Sequence, residues 1–193
     1  KTVLITGGTG SFGKKFIETI LQRYPSVKKI IIFSRDELKQ SDLKKKYPPK
    51  IYSQLRFFIG DVRDKDRLCR ACEGVDVIIH AATPASAQLN TSDPGEMYKI
   101  IVQGMENVIE FASRHISPPK ILFTSSGAVY DNGPITLENV REDTLVTTNS
   151  SDHSSAYSDG KRKAEVMLKD ATKSGICSGV IARLFAFSGV HLP

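Results

Sequence analysis

The stretch Val3-Leu4-Ile5-Thr6-Gly7-Gly8-Thr9-Gly10-Ser11-Phe12-Gly13 restricts what this chain can fold into more than any other. An apolar run breaks into glycines, then reopens with Phe12, Phe16, Ile17, Ile20, Leu21 and Tyr24 on one helical face. That pattern predicts a buried parallel strand, a sharp turn, and a helix whose free N–H groups point at an anion. The three glycines differ in what they allow. Gly7 permits the turn, Gly10 lets a pyrophosphate approach the backbone, and Gly13 lets helix and strand pack closely. Ordinary Gly-rich turns share such triplets, so the flanking strand and helix decide the reading. Gly7, Gly10, Ser11, Phe12 and Gly13 are the expected cradle of a dinucleotide.

The same alternation continues along the chain. Strands are expected near 2–6, 28–33, 54–59, 75–80, 119–124 and 178–184, and helices near 11–24, 36–46, 64–73, 94–115 and 155–174. Right-handed crossovers convert this order into an α/β, doubly wound parallel sheet of order 3-2-1-4-5-6, with ligands at its carboxyl edge. Residues 131–154 are rich in Pro, Gly, Asn, Ser and Thr without a period, and read as a surface excursion flanking the cleft. A chain of 193 residues suffices for one domain burying about 70% of its unfolded surface. Residues 1–193 are therefore read as a single nucleotide-binding domain. The chain ends at Val190-His191-Leu192-Pro193, just after the sixth strand, so a separate substrate subdomain is expected to be absent from it.

Composition narrows the partners. Apolar residues make up 40% and charged residues 25%, as in soluble globular proteins. No run approaches the ~20 apolar residues of a membrane span, and no signal-peptide pattern opens the chain. Three cysteines argue against a disulfide framework and for a reducing, cytoplasmic setting. Cys69 and Cys72 are spaced like half a zinc site, but no second pair completes it, so no metal is expected. The net charge of +6 is concentrated in Lys44-Lys45-Lys46 and Lys161-Arg162-Lys163. These clusters lack interleaved aromatics and fall on expected helices, which speaks against nucleic acid. A phosphorylated small molecule accounts for the excess equally well.

The remaining strand ends face the same edge. Ile30-Ile31-Ile32-Phe33 is followed by Ser34-Arg35-Asp36, where a site built for NAD places a carboxylate against the ribose 2′-OH. Ser34 in that place, with Arg35 and Lys39 nearby, suits a 2′-phosphate and favours NADP, with NAD as second choice. The competing reading gives the ribose to Asp36. In Gly60-Asp61-Val62, Asp61 can accept from an adenine amino group and the Val62 backbone can pair with a ring nitrogen; helix capping is the alternative. His80-Ala81-Ala82 closes the fourth strand with small residues that suit passage of a cofactor, His80 being a packed strand residue.

Reaction chemistry is expected from Ser126, Tyr157 and Lys161. In Tyr157-Ser158-Asp159-Gly160-Lys161 the spacing of four puts phenol and ammonium on one helical face. A free phenol ionises near ~10, and a neighbouring cation favours the phenolate needed by a base. Thr124-Ser125-Ser126 ends the fifth strand, where Thr124 lines the cofactor path and Ser126 orients the reacting oxygen. Tyr130 is followed by no lysine at that spacing.

With these motifs the chain resembles the extended short-chain dehydrogenase/reductases, specifically the NAD(P)-dependent sugar epimerase/dehydratase family. The segment from Ile5 to Gln40 is especially similar to nucleotide-sugar 4,6-dehydratases that use NADP. The resemblance implies an epimerase or oxidoreductase acting on a nucleotide-diphosphate sugar through a 4-keto intermediate. Tyr157 would be its base, Lys161 would hold the nicotinamide ribose, and two copies would pair through the helices near 94–115 and 155–174. Four residues depart from the family pattern: Gly127-Ala128 stands where dehydratases carry acids, and Ile101 and Ala186 replace asparagines. The alternatives are a 4,6-dehydratase with its acid supplied from elsewhere and a non-catalytic NADP(H)-sensing module.

Overall fold

Six parallel strands in the order β3-β2-β1-β4-β5-β6 form the frame of the molecule. The computed structural model describes residues 1–84, 87–130, 141–142 and 155–185. The strands are β1 (Thr2–Thr6), β2 (Lys29–Ser34), β3 (Leu55–Ile59), β4 (Val77–His80), β5 (Lys120–Ser126) and β6 (Ser178–Leu184). Between them run α1 (Ser11–Arg23), α2 (Glu37–Lys46), α3 (Lys65–Cys72), α4 (Ala87–Ser92), α5 (Pro94–Ser113) and α6 (Ala156–Lys173), with a 3₁₀ turn over Gly127–Tyr130. This is the expected doubly wound order, and each expected long element is present within a few residues of its expected bounds.

β2 shows how the sequence divides the core. Its side chains alternate between faces because the strand period is two. Ile30 and Ile32 join Ile17 of α1 and Leu43 of α2, whereas Ile31 and Phe33 join Leu68, Met105, Phe111 and Leu168 from α3, α5 and α6. Helix starts are set by local caps: Asp36, Asp64 and Asp93 accept from the backbone N–H three residues on, and Ser155 and Ser158 form a reciprocal pair. Asp64, not Asp61, caps α3, so the capping alternative for Asp61 falls away.

α4 and the 3₁₀ turn were not expected from the sequence. Both are too short to show an apolar period. Of the excursion at 131–154 only residues 141–142 are described, so that expectation, like those for Ala186 and Val190-His191-Leu192-Pro193, lies outside the described residues.

Candidate active site

At the carboxyl end of β1, Gly7 adopts φ +67°, and a Cβ there would lie 2.7 Å from the Ala81 carbonyl oxygen. Backbone conformation and close approach both require glycine. A Cβ on Gly13 would lie 2.4 Å from the Gly8 carbonyl oxygen, so the start of α1 rests directly on the turn. Gly10 differs: it caps α1, and a Cβ there would meet only the Gly7 carbonyl oxygen, at 3.3 Å. The space before the helix is therefore open, and the first turn of α1 carries no acidic side chain. Ser11 and Phe12 begin that helix, with Phe12 stacked on Phe16. This cradle fits a diphosphate.

Thr6 locks the cradle to the next strand end. Its Oγ1 accepts from the backbone N–H groups of Ala81 and Ala82, both at 3.0 Å, and lies 3.0 Å from His80 Nδ1. An oxygen that accepts twice gives its own hydrogen to Nδ1, which makes His80 the neutral Nε2–H tautomer. Burial, with the Lys161 charge adding to it, pushes the His80 pKa down to about 3. His80 is thus a packed structural residue, as expected.

The β2 end is more engaged than the sequence indicates. Ser34 is buried, and its Oγ accepts from Gln40 Nε2 at 3.1 Å. Asp36 accepts from the Lys39 backbone N–H and pairs with the Lys39 ammonium at 3.0 Å. Arg35 is half-exposed and touches Asp61 at 3.4 Å. Asp61 accepts from Arg63 through both its oxygens, at 3.1 and 2.9 Å. Burial opposes its ionisation, yet Arg63 holds its carboxyl below the usual range. The Val62 carbonyl accepts from Asn107 Nδ2 at 2.8 Å, which anchors the β3 end to α5.

Further along the same edge lies a cavity of about 400 Å³. Ala81, Thr124, Ser126, Tyr157 and Lys161 all line it, so side chains up to 80 positions apart in sequence meet in one cavity. Lys161 is 2% exposed, and its Nζ donates to Thr83 Oγ1 at 2.8 Å and to the Thr124 carbonyl at 2.7 Å. Burial pushes its pKa down to about 7, against the opposing charge of Glu165. The ammonium lies over the Phe123 ring at 4.7 Å and the Tyr157 ring at 5.7 Å. Ser126 Oγ accepts from the Ala128 N–H at 3.2 Å.

Sequence reasoning missed Thr83, Asn90, Arg183 and Phe185. Phe185 lines the cavity, and a Cβ on Gly127 would lie 2.6 Å from its ring. Phe185 stacks on Tyr130 at 6.2 Å, and the Tyr130 hydroxyl accepts from Arg183 Nη1, while Arg183 Nε and Nη2 donate to the two carboxylate oxygens of Glu165. Burial disfavours a charged Glu165, but Arg183 holds its carboxyl below the usual range. None of these residues sits in a motif, though Glu165 lies one helical turn beyond Lys161. Among the described residues no group of three His, Cys, Asp or Glu is gathered for a metal, and no helix is long and apolar enough to cross a membrane.

Comparison with known proteins places this geometry in a family. The sequence model of the NAD dependent epimerase/dehydratase family matches residues 3–192. UDP-N-acetylglucosamine 4,6-dehydratase (inverting) of Campylobacter jejuni is 46% identical over 110 residues, 57% of this chain and 32% of that protein. UDP-glucose 4-epimerase of Rickettsia typhi is 40% identical over 134 residues, 67% of this chain and 38% of that protein. This chain thus spans only about a third of the length of these curated relatives. Among solved structures, DesIV (dTDP-glucose 4,6-dehydratase) of Streptomyces venezuelae with NAD and TYD bound has a TM-score of 0.78 at 22% identity, covering 95% of this chain and 55% of its own. UDP-glucose 4-epimerase of Thermus thermophilus in complex with NAD has a TM-score of 0.76 at 24% identity, covering 95% and 54%. These two share the fold. Because the family match runs through every element described above, the chain belongs to the NAD dependent epimerase/dehydratase family.

Proposed function

We propose that these residues form the cofactor-binding and catalytic part of an NADP-dependent epimerase or oxidoreductase acting on a nucleotide-diphosphate sugar. The observation that carries the reading is the meeting of Ser126, Tyr157 and Lys161 in one cavity, on the edge that holds the glycine cradle. Tyr157 takes the proton from a sugar hydroxyl, Ser126 orients that oxygen, and the Lys161 ammonium favours the phenolate and holds the nicotinamide ribose. The bound dinucleotide supplies the hydride acceptor. Gly7, Gly10, Ser11, Phe12 and Gly13 hold its diphosphate, Ala81, Ala82 and Thr124 flank its path, and Asp61 and Val62 meet the adenine.

The preference for NADP rests on the β2 end. Asp36 is occupied with capping α2 and pairing Lys39, and the buried Ser34 hydroxyl is bound by Gln40. Arg35 is left half-exposed with one long contact, suited to a 2′-phosphate. The sugar-recognising part belongs to the length of the relatives that this chain does not span. Two copies pair through α5 and α6, which leave Tyr98 and Val166 open to solvent.

The relative with 46% identity favours a second reading, elimination by a 4,6-dehydratase. Against it, Gly127 and Ala128 carry no acid, and Phe185 fills the space a side chain at 127 would need. One experiment separates these outcomes. The full-length protein is titrated with NADP and NAD, then incubated with UDP-glucose or UDP-N-acetylglucosamine, and products are identified by NMR. Tighter NADP binding and an epimerised or reduced sugar are expected, with Tyr157→Phe slower by about 10²- to 10⁴-fold. A 4-keto-6-deoxy product would establish the dehydratase, and cofactor binding without turnover would establish a sensing module.

A further inference from the structure

Two hydrogen bonds outside the reading above tie α6 to the segment that follows β4. The first N–H groups of a helix have no partner within it. In α6, Ser155 serves Ser158 with its side chain and Asp159 with its carbonyl. Tyr157 is served from 67 positions away: its backbone N–H donates to Asn90 Oδ1 on α4 at 3.0 Å. One helical turn on, Lys161 Nζ donates to Thr83 Oγ1, at the other end of the same short segment. The ammonium has three donors and spends a second on the Thr124 carbonyl, which leaves one for the cavity that Thr83, Tyr157 and Lys161 share.

From this juxtaposition we propose that Thr83 and Asn90 are positioning residues, a two-point clamp that sets where the Tyr157 phenol and the Lys161 ammonium stand relative to the β4 end. The proposal rests on the reading of Tyr157 and Lys161 as the reacting pair. The physical case is one of competition. α6 is packed on α5 and β5, and Arg162 and Glu165 bind it to the Val129 carbonyl and to Arg183 further along the helix. Asn90 adds a fixed point at the level of the phenol, a bond of 3.0 Å to the Tyr157 peptide N–H in the first turn of the helix. Thr83 acts on charge as well as on place. The titratable groups facing Lys161 are Tyr157 and Glu165 from its own helix and the neutral His80 from β4. None of them gives its ammonium a hydrogen bond, so the neutral acceptors Thr83 and Thr124 carry that duty. Loss of Thr83 Oγ1 therefore disfavours the ammonium, and a weaker cation makes the phenolate harder to form.

The test uses the full-length protein with NADP bound, in the variants Thr83→Val, Thr83→Ser, Asn90→Ala, Asn90→Asp and Tyr157→Phe. Phenol ionisation is read by ultraviolet difference absorbance, with Tyr157→Phe subtracted to isolate that residue. In Thr83→Val the Tyr157 titration should move upward and the alkaline limb of kcat downward, and Thr83→Ser should restore both. Asn90→Ala should lower kcat about 10- to 100-fold with little change in cofactor affinity, while Asn90→Asp, which keeps the acceptor, should recover most of the rate. Unchanged Tyr157 titration in Thr83→Val, or Asn90→Asp as slow as Asn90→Ala, overturns the clamp. Wild-type turnover in Tyr157→Phe instead overturns the assignment of the pair itself.

Discussion

At Lys161, burial and charge are in direct conflict. The side chain is 2% exposed with a pKa of about 7, whereas an unfolded chain holds the same amine protonated to about 10.5. A lowered folded pKa gives a contribution to stability that is complete above the unfolded value and is lost as pH falls from 10.5 towards 7. At neutral pH the ammonium is thus a net burden on the fold, as a group with the proposed role in the reaction would be. Lys161→Met, similar in length and without charge, should raise unfolding free energy near pH ~6 by about 1–4 kcal/mol in urea melts without cofactor. It should also abolish turnover and flatten the rise of stability between about pH 7 and 10. A less stable Met variant would show that the hydrogen bonds to Thr83 and Thr124 outweigh desolvation. At this scale the sequence reveals what spacing can carry: Tyr157, Lys161 and the glycines. Thr83, Asn90 and Phe185 act through contacts across roughly 60 to 80 positions, and no local pattern marks them.

The strand-turn-helix unit at the N-terminus separates packing from binding within one motif. Gly13 has no spare space, since its Cβ would overlap the Gly8 backbone, while Gly10 opens on solvent with a single neighbour at 3.3 Å. Gly13→Ala should therefore cost about 1–3 kcal/mol by forcing α1 off the turn. Gly10→Ala should cost less than about 1 kcal/mol, the change of a cap residue, yet weaken NADP binding by about tenfold or more. Thermal melts and fluorescence titration of NADPH on the two variants check this. A Gly10 variant that binds normally would mean the diphosphate does not approach the backbone there. Long elements of this kind were legible because 13 or 20 residues repeat an apolar period several times. α4, with Ala87-Gln88-Leu89-Asn90-Thr91-Ser92, holds too few apolar positions to repeat anything, and it is fixed by its neighbours.

For the molecule as a whole, topology follows from right-handed crossovers once the strands are known, which is why the order 3-2-1-4-5-6 could be read from the alternation of strands and helices. What surrounds the sheet could not be read that way. α5 and α6 pack against each other on one face, and each leaves a large apolar side chain in water, Tyr98 at 37% and Val166 at 43% exposure. Single exposed apolar residues are ordinary, but on two adjacent helices they suit a two-fold contact in which each patch meets its own copy. Such a pairing needs about 1,200–2,000 Å² of total buried surface, within reach of helices of 20 and 18 residues. Sedimentation of the full-length protein should give twice the monomer mass. The double variant Tyr98→Glu and Val166→Glu should give the monomer mass with NADP affinity retained, because it places like charges on both sides of the axis and touches nothing at the carboxyl edge. A wild-type monomer, or a double variant that still pairs, would move the interface elsewhere on the surface.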